Sequence, residues 1–264
     1  MLIKLIMTQH TDRQPAKDHM GESRGTDSRP ILTPRERRQR NRHEMITLIL
    51  DVAREMMRDE GVAALNLNEI ARRMGMTTPA LYGYFPSKAA LYDALFQQAV
   101  HGFMDTDAAA WTSDGSGWDR VRAWFEARID FAEQYPELYD VALGRLPAGF
   151  VPSEQTVTLI EQSRLLLLRR ITELIDAGVI APGMPADRAA DMLLAMRHGL
   201  IAEHVAKHRV RPDGTHRFRG LIDDVMTMVR KAWAPLPGER MPCAPGRAER
   251  RDGSRTGEDK QGRQ

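Results

Sequence analysis

The chain has 264 residues, of which 42% are apolar, 28% charged and only 6% aromatic, with a formal net charge of +2. That leaves room for one large domain or two modest ones, and it excludes a collagen-like, wholly disordered or disulfide-dense chain. Cys243 is the single cysteine, so neither an intramolecular disulfide nor a multi-cysteine metal site can form. No apolar run in a helix candidate approaches the roughly 20 residues of a membrane span. The opening residues lack a secretory apolar core, and the expected setting is the cytoplasm.

Residues 1–34 are rich in Thr, Asp, Ser, Gly, Arg and Pro without an apolar period, and read as a disordered N-terminal arm. Residues 235–264 read as a disordered tail, because Pro235, Pro237, Pro242, Pro245 and the charged stretch after them bury too little to offset the entropy of ordering. Arg35, Arg37, Arg38, Arg40 and Arg42 follow the arm with Glu36 among them. A phosphate backbone would feel such a run, although an isolated basic run is more often a solvated tail.

Between the arm and the tail, apolar residues recur at helical spacing and sustained period-two alternation is absent. The expected fold class is all-α with about nine helices. The first runs from about Glu44 to Glu60, with Gly61 placed as an αL cap. Asn66 and Glu69 have capping-box spacing and open a second, short helix that Gly75 stops. Thr77 or Thr78 caps a third, with Pro79 tolerated in its first turn and Phe85 at its end. Pro86-Ser87 recaps the chain into a longer helix from Lys88. Further helices are predicted at about 119–134, 137–145, 154–177, 186–208 and 216–233.

Two short helices around a Gly-containing turn, the second with a polar outer face, form a helix-turn-helix pattern over residues 66–85. Ile70, Ala71, Met74 and Leu81 hold the pair together. The second helix can lie in a major groove about 12 Å wide, its N-terminal residues against base edges.

From Leu65 to Leu95, the Ile70-Ala71 pair, the Gly75 turn, Leu81-Tyr82-x-x-Phe85 and Ser87-Lys88-x-x-Leu91 resemble the N-terminal domain of the TetR family of bacterial transcriptional regulators. The resemblance covers about residues 44–100; the remainder resembles only generically the family's ligand-binding and dimerisation domain, with His198-Gly199 its nearest echo. It implies a DNA-binding domain over 35–100 and an effector-binding, dimerisation domain over 101–234.

By the same resemblance, Thr77, Thr78, Pro79 and Ala80 meet bases while Tyr82, Tyr84 and Lys88 hold phosphates. The chemistry agrees, since a Tyr hydroxyl can donate to a phosphate oxygen and Lys88 adds its charge to a helix N-terminus. Tyr82 could instead be a half-buried core aromatic. Asn66 and Asn68 stand where many members carry Thr or Arg; Asn68 can still pair with adenine. Gly83 replaces a larger groove-facing side chain and, inside a helix, costs roughly 1 kcal/mol relative to Ala. Arg38, Arg40 and Arg42 complete the candidate DNA contacts.

For an effector pocket the second domain offers Phe103, Trp124, Phe125, Phe131, Tyr139, Leu143, Leu166 and Met196, with Arg128, Arg145, His198 and His204 as polar orienting groups. Plain core or surface placement is the competing reading for each. His204 and His208 share a helix face but lack a third metal ligand, and no metal or cofactor is expected. Walker, dinucleotide-binding, nucleophile-elbow and H-E-x-x-H patterns are absent, so an enzyme is not expected. Apolar stripes at Ala190, Leu193, Leu194, Arg197, Ile201 and Val205, and at Leu221, Ile222, Val225, Met228, Val229 and Trp233, can be buried within the domain or against a second copy; the resemblance, with the need to present two recognition helices to a palindrome, favours the seam of a homodimer.

The expected function is a TetR-type repressor that binds a palindromic DNA operator as a homodimer and is released by a small-molecule effector. The alternatives are a non-allosteric DNA-binding or architectural protein, or an α-helical enzyme.

Overall fold

In a computed structural model, described over residues 33–143, 149–210 and 217–235, the regular elements are all helical. The described residues form nine α-helices: α1 (Pro34–Glu60), α2 (Leu67–Arg73), α3 (Thr78–Tyr82), α4 (Lys88–Trp111), α5 (Gly117–Gln134), α6 (Pro136–Ala142), α7 (Glu154–Asp176), α8 (Ala186–Val210) and α9 (Arg217–Trp233). Val62–Ala64 adds one turn of 3-10 helix. Apart from Thr33, Pro34 and Pro235, the expected arm and tail lie outside the described residues.

α1 starts at Pro34 rather than near Glu44, so the basic run is helix rather than arm. Its start is fixed by a capping box: Thr33 Oγ1 accepts the Glu36 N–H at 3.3 Å, and Glu36 Oε2 accepts the Thr33 N–H at 2.7 Å. Pro34 fits the first turn, where its missing N–H costs nothing. Residues 34–42 are exposed all round, which is why the apolar period does not reveal this turn of helix. Gly61 also differs from expectation. Its φ of 88° and ψ of 164° lie outside the αL region and turn the chain into the 3-10 segment.

Two apolar clusters organise the packing. The first takes Ile49, Ala53 and Met56 of α1, Ile70 of α2, Leu81 of α3 and Leu91, Leu95 and Ala99 of α4. It extends past residue 100 to Phe131, Leu138, Val141 and Leu159. Within it the Tyr92 hydroxyl donates to the Val62 carbonyl at 2.6 Å and pins the 3-10 turn to α4. The second gathers α5, α7, α8 and α9 around Trp124, Phe125, Ile129, Ile171, Leu193 and Ile201. α4 packs on α1, α5, α6 and α7 and so belongs to both clusters.

Most of the α8 and α9 stripes expected to meet a second copy are spent inside this chain. Ala190, Leu193, Arg197, Ile201 and Val205 are buried, as are Ile222, Val229 and Trp233, whereas Met228 is 58% exposed. The four elements α5, α7, α8 and α9 present enough apolar surface to absorb both stripes.

Two ion pairs that share one carboxylate tie α1 to α6. Arg54 Nη2 lies 2.9 Å and Arg54 Nε 3.0 Å from Glu137 Oε1, with Arg58 Nη2 at 3.1 Å from the same oxygen. The Glu137 side chain is fully buried and Arg54 nearly so, while Arg58 is half exposed. Arg54 also lies over the Tyr135 ring, 5.1 Å from its centre. Because removing one partner leaves the other charge buried and uncompensated, Glu137→Ala should destabilise the fold by about 3–5 kcal/mol. Equilibrium urea unfolding checks this; a loss below about 1 kcal/mol, the scale of an exposed pair, would show that the pair is not buried in solution.

Candidate functional site

α3 has five residues, too few for a helix to persist alone. Thr77 caps it, its Oγ1 accepting the Ala80 N–H at 3.4 Å, and Pro79 lies in the first turn. Leu81 is fully buried against the first cluster. At the far end Gly83 is the C-cap rather than an interior residue, with φ −66° and its N–H directed at the Pro79 and Ala80 carbonyls. The expected interior-helix cost of Gly83 therefore does not arise. α3 also ends at Tyr82, so Phe85 is buried in the turn beyond it.

The turn before α3 is a Schellman arrangement. Gly75 has φ 65°, Met76 N–H donates to the Ala71 carbonyl at 2.9 Å and Gly75 N–H to that of Arg72 at 3.2 Å. At the start of α2 the predicted capping box is not formed. Asn66 Oδ1 accepts the Asn68 N–H at 2.9 Å, and Glu69 turns instead to Arg72 and Arg73 at 2.6 to 3.0 Å. Two arginines within one helical turn outcompete a single backbone N–H for that carboxylate, and their hydrogen bonds hold it well below the usual range, at about 2.

The outward residues share one surface. Thr77, Pro79, Ala80, Tyr82 and Gly83 are exposed, Thr78 and Tyr84 half-buried, and Lys88, the first residue of α4 after its Ser87 cap, is exposed. Tyr82 is 46% exposed and takes no place in the core. Asn66 and Asn68 are exposed at the start of α2.

Arg42 has a position that no sequence pattern indicated. Its Nη2 donates to the Gly83 carbonyl at 3.1 Å, and its guanidinium lies 5.0 Å from the centre of the Tyr84 ring. α1 thus grips the end of α3 directly. Arg38 lies one turn earlier on the same face of α1, while Arg40 points elsewhere and pairs with Glu44 at 3.4 Å.

In the second cluster, a crevice of about 390 Å³, counting its open mouth, lies between α4, α5 and α7. Met104, Asp107, Ala108, Trp111, Trp124, Ser163, Leu166, Leu167 and Arg170 line it. Of the expected pocket residues only Trp124 and Leu166 are among them. Phe125, Phe131 and Tyr139 are buried core, Phe103, Leu143 and Met196 are half-buried, and His198 is exposed. Arg145 lies outside the described residues.

Beside the crevice sits a charge cluster that the sequence reading missed in part. Asp107 Oδ2 takes Arg128 Nη2 at 2.8 Å, and Oδ1 takes Arg197 Nη1 at 3.0 Å. The two guanidiniums lie 3.5 Å from the centre of the Phe103 ring and 3.4 Å from that of Trp124. A charged residue inside the apolar stripe of α8 was the available signal for Arg197.

His204, buried, has its Nε2 2.8 Å from Glu133 Oε1; the His208 side chain lies outside the described residues. Among the described residues no group of three His, Cys, Asp or Glu could hold a metal ion, and no helix is long and apolar enough to cross a membrane.

Residues 49–95 match the family model described as bacterial regulatory proteins, tetR family. The HTH-type transcriptional activator FasR of Mycolicibacterium smegmatis is 34% identical over 118 residues, which are 45% of this chain and 53% of that protein. The chain thus spans about half the length of this curated relative. A solved protein of unknown function from Rhodococcus sp. RHA1 superposes with a TM-score of 0.62 at 24% identity, over 72% of this chain and 95% of its own. AibR, solved with isovaleryl coenzyme A and operator DNA, gives 0.55 at 18%, over 70% and 97%. At these identities the structural likeness is one of fold. Together with the capped, outward-facing α3, the family match makes residues 49–95 a helix-turn-helix unit similar to that of the tetR-family regulatory proteins.

Proposed function

We propose that the chain is a TetR-type repressor that binds a palindromic operator as a homodimer and leaves it when a small molecule occupies the second domain. Residues 35–100 form the DNA-reading unit and 101–234 the effector and dimer unit. The observation that carries this reading is α3: one buried anchor, Leu81, and an exposed row from Thr77 to Tyr82 held out by caps at both ends. Its five residues are long enough to reach three or four base edges.

The contacts divide by chemistry. Thr77, Thr78, Pro79, Ala80 and Gly83 bring short side chains and backbone close to the groove floor, with Asn66 and Asn68 beside them. Tyr82, Tyr84, Lys88, Arg38 and Arg42 supply donors and positive charge to phosphates, while Arg40, paired with Glu44 on another face, is left out of the contact set. Repression is the proposed sign because a dimer seated on an operator obstructs polymerase without further contacts. Activation, as in the name of FasR, requires an added surface for the transcription machinery.

The second copy is met by the outer faces of α8 and α9. Met192, Ala195, Gly199 and Ala202 are exposed along α8 and Met228 on α9. A Cβ on Gly199 would meet nothing within 4 Å, so a partner helix can approach closely there. A symmetric pair sets two recognition helices about one helical turn of DNA apart. AibR, of like fold, was solved with isovaleryl coenzyme A and operator DNA, and this supports the reading. An effector that prefers a conformation with misplaced recognition helices lowers operator affinity by its differential binding energy.

Fluorescence anisotropy with duplexes from the chain's own upstream region tests the DNA assignment. Lys88→Ala should weaken all duplexes alike and lower the salt slope by about one ion, whereas Thr78→Ala should change base preference by about 1–3 kcal/mol at one position. Identical effects of the two changes across duplex variants would reject the division of roles.

Arg42→Lys should cost operator affinity about tenfold, because an ammonium cannot both fork to the Gly83 carbonyl and stack on Tyr84, while thermal stability stays within a few degrees. Faster amide exchange at Gly83 to Phe85 would accompany it, and unchanged exchange there would count against the grip. Gly199→Arg should convert dimer to monomer in analytical ultracentrifugation; a dimer of wild-type strength would place the seam elsewhere.

A further inference from the structure

A buried arginine is stable only when its charge and its donors are answered. Arg128 and Arg197 are 3% and 2% exposed, and among the described residues one carboxylate, Asp107, answers both. The Nε–H of each arginine is buried without a hydrogen-bond partner among the described residues. Two cations and one anion leave one positive charge inside the second cluster. Burial first, and then the charge of Arg128, lowers Arg197 to about 9, with Asp107 opposing the shift; burial lowers Arg128 too. A guanidinium keeps its proton at neutral pH, so the imbalance registers as a demand for negative charge.

That demand borders on a crevice. Asp107, whose two oxygens hold the arginines, also lines the crevice wall, as does Trp124, on whose ring Arg197 lies. The rest of the lining is apolar except for Ser163 and Arg170, whose charge Glu173 answers at 2.9 Å; Asp107 is its single acid. A neutral apolar effector would be served by the apolar walls alone and would give no reason to bury two arginines behind them.

Building on the effector reading above, we propose that the crevice between α4, α5 and α7 takes an apolar monocarboxylate, its hydrocarbon against Trp111, Trp124 and Leu166 and its carboxylate at the wall made by Asp107, behind which Arg128 and Arg197 lie. The ligand anion supplies the second negative charge, so that two carboxylates face two guanidiniums.

The probes are benzoate, phenylacetate and hexanoate, each against its uncharged amide, on the full-length protein. Tryptophan fluorescence and thermal melting are the readouts. At least one acid should bind saturably and at least tenfold more tightly than its amide. Arg197→Gln should weaken that acid at least tenfold, and Asp107→Asn should tighten it, opposite directions that a purely structural ion cluster would not produce.

If either variant fails to fold, the acid-to-amide ratio on the wild-type protein decides alone. No saturable response to any of the three acids, or acid and amide binding equally, overturns the proposal. Operator anisotropy separates it from the reading beneath it. An acid that binds while the operator stays bound upholds the crevice assignment and removes the effector role. Amides that release the operator while the acids do not bind overturn the crevice assignment and leave the effector role standing.

Discussion

A five-residue helix must be held by what surrounds it, and the arrangement around α3 follows from that constraint. Helix formation repays its nucleation cost only over many residues, so α3 depends on Thr77 at its start, Leu81 beneath it and Gly83 at its end. Each device leaves the outward row free, because each uses backbone or the inner face. Arg42 closes the last degree of freedom by reaching from α1 to the Gly83 carbonyl. The outward row from Thr77 to Ala80 is therefore held rigid although its own side chains are short, a useful property for a surface proposed to fit a groove by shape.

α4 connects this surface to the second cluster. It begins at Ser87, whose hydroxyl accepts the Ala90 N–H at 3.1 Å, two residues after buried Phe85. It then passes Asp93, which accepts from the Ser153 N–H at 2.9 Å and so helps fix the start of α7. Asp107 lies close to its other end. A rigid element that carries the exit of the recognition motif and a crevice carboxylate can exchange a change at one end for a change at the other. α6 supplies a second route, since Glu137 holds Arg54 and Arg58 of α1.

The helices were legible wherever one face is apolar and the other polar. Ile49, Ala53 and Met56 marked α1, and the Gly75 turn with Leu81 marked the motif, because burial writes its period into the sequence. The first turns of α1 were not legible because residues 34–42 touch solvent on every side. Their helix comes from a capping box and from the propensity of Arg and Gln rather than from packing. Glu69 shows the opposite failure: its spacing from Asn66 is right for a cap, yet Arg72 and Arg73 compete for the carboxylate more strongly. The stripes of α8 and α9, expected to meet a copy, are mostly buried within the chain, because periodicity cannot say whether a stripe meets its own chain or a copy.

The two buried ion clusters differ in a way that bears on their roles. At Glu137 one carboxylate meets one buried guanidinium and one that is half exposed and shares its charge with water. That site is balanced, since Asp51 Oδ1 also lies 3.7 Å from Arg54 Nη1, and the Tyr135 ring lies against Arg54. At Asp107 both guanidiniums are buried, each on an aromatic ring, and the charge is left unequal. Aromatic faces attract cations but offer no hydrogen-bond acceptor to an Nε–H. If rigidity alone were the purpose, replacing either arginine by an apolar side chain would do at least as well, since buried ion pairs rarely outdo good packing. The unequal charge is thus most simply understood as half of a binding site, whose other half arrives from solution.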